Sequence, residues 1–228
     1  MTSQGIFVAM PIYQDVHPEC MISVARLIGE LGVPIHLDTV QGCPLLGHAR
    51  AELVSRFMRS PFDRLLWLDA DVAFAPETIK RLLASERDFI GAAYSSRQGA
   101  PYPLVDRPLD LAPDESGIAE VEWVAGGLTL VRRRVFGRLI QAHPELVFRG
   151  RGSKAEEPVP FLYHPFDPFH PEDISFCRRW RAIGGKIHAL LDCETVHYGI
   201  EPHALHGLQW LERMKKAAER PAGAPAPT

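Results

Sequence analysis

The sequence predicts an α/β protein built on a doubly wound mixed sheet flanked by helices. Two observations carry the prediction: strand-like apolar runs alternate with amphipathic helical stripes through the first half of the chain, and one such run ends in a pair of acidic residues, Asp69 and Asp71. Alternation of this kind implies parallel strands joined by right-handed crossovers. A length of 228 residues with 46% hydrophobic composition is enough for one buried core, so a single domain is expected.

Gly5 to Tyr13 (GIFVAMPIY) is apolar and rich in β-forming residues, and Pro11 marks where the first strand leaves the sheet. Cys20, Met21, Val24, Leu27, Ile28 and Leu31 then recur at helical spacing, closed by Gly32. Val33 to Val40 reads as a second strand, and Ala49, Leu53, Val54, Phe57 and Met58 as the inner stripe of a second helix ending at Ser60-Pro61. Arg64 to Val72 (RLLWLDADV) is the third strand, Pro76 to Ala84 a third helix with proline in its first turn, and Asp88 to Tyr94 a fourth strand. The second half is less regular. A proline-rich loop leads to a strand at Ala119 to Val131 and a helix at Arg132 to Ala142. The aperiodic stretch Phe148 to Pro171 reads as a lid over the site, with Arg149, Arg151 and Lys154 either facing diphosphate oxygens or simply solvated. A helix follows at Glu172 to Ile183, then a strand near Lys186 to Leu191, an extended run to His197 and a last helix over His203 to Glu219. Residues 221–228 (PAGAPAPT) are expected to be disordered.

Composition removes several functional classes. A net charge of -3 gives no electrostatic footprint for nucleic acid. Cys20, Cys43, Cys177 and Cys193 form no C-x-x-C pair, which points to reduced thiols in a cytoplasmic protein and away from a structural zinc site. No apolar stretch approaches the roughly 20 residues of a membrane span, so no transmembrane segment is expected.

The chemistry centres on Asp69 and Asp71. In a strand, residues two apart share a face, which would aim both carboxylates to one side. Two close carboxylates repel unless a cation lies between them, and Mg2+ or Mn2+, held by hard oxygen ligands together with substrate phosphates, is the natural occupant. Ligands of open α/β sheets bind beyond the carboxyl ends of the strands, where this pair sits. Acidic residues after a strand also serve as turn and cap formers, and that alternative stands beside the metal reading.

LLWLDADVAFAPETIKRLL, DFIGAAY, VEWVAGGLTLVRRRVF and HPEDISFCRRWRAIGGKIHALLDCETVHYG, in that order, resemble the motif series of glycosyltransferases of the GT-A fold, the D-x-D-containing nucleotide-diphospho-sugar transferases. The resemblance spans roughly residues 6 to 200. It implies a GT-A domain over residues 1–220, with a nucleotide-binding half at 1–100 and an acceptor-side half at 101–220. It also implies a nucleoside-diphosphate sugar donor, a UDP- or GDP-sugar, and transfer, as by a hexosyltransferase, to a carbohydrate or other hydroxyl acceptor. Asp69 and Asp71 inherit the metal-ligand role, and His197 in VHYG resembles the third ligand. Glu172-Asp173 matches the acidic pair that supplies the base of inverting members, with Asp173 the usual base; the same two residues would cap a helix N-terminus. Pro11, Tyr13 and Ala70 match the nucleotide pocket, Tyr13 being equally suited to a core or rim position. Asp38 would contact base or ribose, or close a turn. Arg50 in HARAELV would contact the nucleotide or brace a loop, although Ala51 stands where asparagine is frequent. Gly126-Gly127 is expected either to admit a sugar or to allow tight packing, and Trp123 to stack on a sugar or join the core.

Three other enzyme classes and one binding function compete with this reading. His197, His203 and His206 raise a zinc hydrolase, but H-E-x-x-H is absent and the last two fall where a helix is expected. MPIYQDVHPE after the first strand has neither the glycine-rich basic loop of a sugar-nucleotide pyrophosphorylase nor the G-x-G-x-x-G of a dinucleotide enzyme. A carbohydrate- or nucleotide-sugar-binding protein without turnover is the non-enzyme alternative.

Overall fold

The computed structural model describes residues 3–97, 102–149, 158–166, 170–199 and 202–218. Strand β1 (Ser3–Ile12), helix α1 (Pro18–Glu30), β2 (Ile35–Gln41), α2 (Leu46–Arg59) and β3 (Phe62–Leu68) realise the expected alternation. They are followed by β4 (Val72–Phe74), α3 (Pro76–Ala84), β5 (Phe89–Ala92), β6 (Ile118–Val121), β7 (Leu128–Arg132) and α4 (Arg133–Ala142). The chain continues through β8 (Val147–Arg149), β9 (Pro158–Pro160), α5 (Glu172–Ala182), β10 (Ile187–Leu190), β11 (Glu194–Tyr198), β12 (Pro202–His206) and α6 (Gly207–Ala218).

The central sheet has seven strands in the order β2-β1-β3-β7-β5-β10-β6. Strands β1, β2, β3, β5 and β10 run one way, and β7 and β6 run against them. A second sheet, β12-β11-β4, is antiparallel throughout, and β8 pairs with β9. The pleat separates two cores. Ile6, Val8 and Met10 of β1 and Leu66 and Leu68 of β3 pack with Val24 and Leu27 of α1 and Ile79 and Leu82 of α3. The intervening Phe7, Ala9, Leu65 and Trp67 face Leu53 and Phe57 of α2, Phe136 of α4 and Phe176 of α5.

Several expectations are corrected. The third strand stops at Leu68; Asp69 to Asp71 form a turn in which the Val72 amide donates to the Asp69 carbonyl at 3.2 Å, and Val72 starts a strand of the second sheet. The two carboxylates are therefore not aligned by a strand pleat. The single strand expected at Ala119 to Val131 is two strands, because the chain crosses at Trp123 to Gly127 from the sheet edge to its middle; the continuous apolar run hides that break. His203 and His206 lie on β12, not on a helix: pairing with β11 overrides the local pattern, and α6 begins only at Gly207. The α1 stripe is narrower than expected, with Met21 and Ile28 exposed. Of the expected lid, Phe148-Arg149 and Pro158 to Pro160 lie in the antiparallel pair of β8 with β9, while Arg151 and Lys154 lie outside the described residues, as does the 221–228 tail. No helix among the described residues is long and apolar enough to cross a membrane.

Candidate active site

The exits of β1, β3 and β5 lie at one end of the sheet, and a cavity of about 690 Å³ opens there. Pro11, Tyr13, Asp69, Ala70, Asp71 and Arg97 are among its walls. His17-Pro18 and Leu46, at the starts of α1 and α2, also face it, so the positive ends of two helix dipoles border the space, although the first-turn amides of α1 are already taken by His17.

Asp69 continues the pleat of β3 toward α2. Its Oδ1 lies 3.5 Å from Arg50 Nη2, and Arg50 Nε lies 3.5 Å from Glu172 Oε1. Arg50 is almost fully buried, its guanidinium resting against the rings of both Trp67 and Tyr163, and donates to the Gly126 carbonyl. It thus braces the floor below the cavity and does not line it. Gly126 donates its amide to Asp173 Oδ2 at 3.0 Å, and Gly127 donates to the Tyr94 hydroxyl at 2.9 Å. A Cβ on Gly127 would fall 2.4 Å from Asp69 Oδ2 and 2.5 Å from the Tyr94 oxygen, so glycine is required for these groups to converge. Of the two expectations for the glycine pair, tight packing is realised, in the service of the acidic site.

Asp71 turns to the second sheet. Its Oδ2 accepts from Arg97 Nη1 at 2.8 Å, and its Oδ1 lies 3.3 Å from His197 Nε2. His197 is held by β11, where it stands opposite Val72, and by a 2.7 Å contact of Nδ1 with the Ser95 carbonyl. That contact makes Nδ1 the donor; Nε2 faces Asp71, carrying a proton when the ring is charged and a lone pair when it is neutral. The Nε2 atom is buried 3.3 Å from Asp71 Oδ1 without an aligned hydrogen bond, and in the neutral ring its lone pair can bind a cation.

The two aspartates titrate in opposite directions. Burial lifts the Asp69 carboxyl, Arg50 opposes it, and Asp71 adds to the rise. Burial would lift Asp71 too, but a protonated His197 ring at 3.3 Å and the Arg97 guanidinium outweigh it, and the group titrates low. Burial also lifts Glu172 against the pull of Arg50. The signs follow by linkage. The Asp71 contribution to stability is present above the ordinary carboxylate range and lost as pH falls through its lower native value; Asp69 loses stability as pH rises through its raised one. In chelator at pH 7, Asp71→Asn is therefore expected to lower the melting temperature and Asp69→Asn to raise it. Equal shifts for the two would contradict this electrostatic division.

Other expected residues are placed differently. Asp38 pairs with Arg56 at 2.7 Å and accepts from the Thr39 amide, and it is not on the cavity wall. Glu172 and Asp173 open α5 as expected, below Gly126 and outside that wall. Trp123 packs against the core. His206 contacts Asp192 and accepts from the Gln209 amide, away from His197. Among the described residues no three His, Cys, Asp or Glu side chains close into a metal cage. An ion shared with substrate phosphates needs only one or two carboxylates from the protein. Sequence reasoning missed His17 and Tyr198, whose rings stack at 3.8 Å on the cavity wall, and also Tyr94 and Arg97. The signal for the last two was their place at the carboxyl end of a strand.

No family model matches the chain, and no curated protein does. Among solved structures, A197 from STIV superposes with a TM-score of 0.54 and 15% identity over 85% of each chain. The likeness is one of fold, a mixed α/β sheet flanked by helices. GalNAc-T7, solved with UDP, GalNAc and Mn2+, aligns at a TM-score of 0.47 and 12% identity over 86% of this chain and 44% of its own. The 4-diphosphocytidyl-2C-methyl-D-erythritol synthase of Anaerococcus prevotii aligns at 0.44 and 9% identity over 94% and 99%. At these identities the likeness concerns the fold.

Proposed function

We propose that the protein is a metal-dependent glycosyltransferase that places a nucleoside-diphosphate sugar in the cavity beyond β1, β3 and β5 and transfers the sugar to a hydroxyl acceptor. The observation that carries the reading is the meeting of Asp71 with a buried His197 nitrogen at the cavity beyond the strand ends, with Asp69 nearby. Asp71 and His197, with Asp69 adjoining, would share Mn2+ or Mg2+ with the diphosphate oxygens, and the ion when bound would offset charge on the leaving diphosphate. Pro11, Tyr13 and Ala70 border the nucleotide; the absence of a glycine-rich basic loop after β1 favours glycosyl over nucleotidyl transfer.

Asp173 serves as base. Its carboxylate is oriented by the Gly126 amide and by the Ile174 amide at 2.7 Å, and it takes the acceptor hydroxyl proton as the new oxygen–carbon bond forms. The bond from the anomeric carbon to the diphosphate oxygen breaks in the same in-line step, with inversion.

The test is thermal melting with a panel of nucleoside diphosphates, each with and without Mn2+. Stabilisation by one diphosphate that requires Mn2+ and disappears in Asp71→Ala is the expected result. No shift with any of them would overturn the reading.

A further inference from the structure

Asp71 is engaged from two sides: its Oδ1 faces His197 and its Oδ2 carries the Arg97 guanidinium at 2.8 Å. Arg97 is more than half exposed, at 58% of its side-chain surface, and lines the same cavity as the aspartate. It follows Ser95, whose carbonyl anchors His197, and its backbone packs near Gly199 at the end of the VHYG run. The arginine is thus part of the same cluster that orients the imidazole, and its ion pair with Asp71 faces solvent.

From these contacts we propose that Arg97 is an exchangeable cation: it neutralises Asp71 until a divalent ion takes that carboxylate, and then pairs with the diphosphate oxygens of the nucleotide. This rests on the donor-site reading above. An exposed ion pair contributes about 0–1 kcal/mol, so the guanidinium leaves Asp71 at small cost. A doubly charged ion at Asp71 would repel it. The planar fork of arginine matches phosphate oxygens in two parallel hydrogen bonds, and the cavity that Arg97 borders is where those oxygens would lie. The residue then couples the two ligands: it opposes metal binding in the empty site and favours the nucleotide once metal is present.

The prediction is a pair of opposite effects. In Arg97→Met, Mn2+ alone, titrated by electron paramagnetic resonance without nucleotide, is expected to bind up to about fivefold more tightly, the limit set by an exposed ion pair. The diphosphate that stabilises the protein, titrated calorimetrically at saturating Mn2+, is expected to bind about ten- to a hundredfold more weakly, the worth of charge-assisted hydrogen bonds. Arg97→Lys, a point charge without the fork, is expected to keep the wild-type Mn2+ affinity and recover only part of the nucleotide affinity. A merely structural role would weaken both ligands or neither, and either result overturns the proposal. Asp71→Ala separates the two levels. If Mn2+ binding does not depend on Asp71, the donor-site reading fails; if it does, and Arg97→Met leaves both affinities unchanged, only the exchange fails.

Discussion

Replacing Arg50 by methionine is expected to destabilise the protein by about 3–5 kcal/mol, the range for stripping one partner from a buried charge cluster. Arg50 is 1% exposed and faces Asp69, Glu172 and Asp173, while its guanidinium rests against Trp67 and Tyr163. Methionine preserves most of the volume and the apolar contact with the rings, so the change reports on charge. Without Arg50 the acidic groups keep burial and mutual repulsion, both of which raise carboxyl pKa values. Groups raised in the native state favour it at low pH and lose that contribution as pH rises. The penalty is therefore largest at neutral pH and shrinks toward pH 5. Denaturant melts of both proteins across that interval measure it. A penalty that grows on acidification, or none at all, would show that Arg50 acts through packing alone.

That role was half legible in the sequence. HARAELV places Arg50 on a helix whose apolar stripe includes Ala49 and Leu53, which suggests a position near the core, but nothing local shows that three acidic residues from distant segments converge on it. The strand-helix alternation was legible because burial on both sheet faces leaves continuous apolar runs in β1 and β3. What escaped the sequence is set by long-range pairing. The D-x-D pair reads as the end of a strand, and only the pairing of β4 with β11 turns it into a bend that sends Asp69 toward α2 and Asp71 toward His197. Likewise VEWVAGGLTLV reads as one strand; its two glycines are where the chain changes position in the sheet, and their missing side chains make room for Asp69, Tyr94 and Arg50. His203 and His206 show the converse error: helical spacing was present, and cross-strand pairing with β11 decided the outcome.

Asp173→Asn is expected to lower the turnover number by about 10²–10⁴, the usual contribution of a positioned general base. Asp173 occupies the first turn of α5, where its carboxylate accepts from its neighbour Ile174 and from Gly126 across the site. Capping and catalysis are therefore compatible at this residue: the helix-terminal setting and the glycine amide fix the carboxylate while leaving acceptor capacity for a hydroxyl proton. Asparagine keeps the shape and one oxygen acceptor but cannot take a proton, so donor binding, read as the Mn2+-dependent rise in melting temperature, should persist while transfer is lost. Glutamate at the same position moves the carboxylate by one methylene and is expected to restore a part of the rate, with KM for the acceptor changed more than affinity for the diphosphate. Near-normal transfer by Asp173→Asn would remove this residue as the base and leave Glu172, 3.5 Å from Arg50 and raised by burial, as the carboxylate to test next.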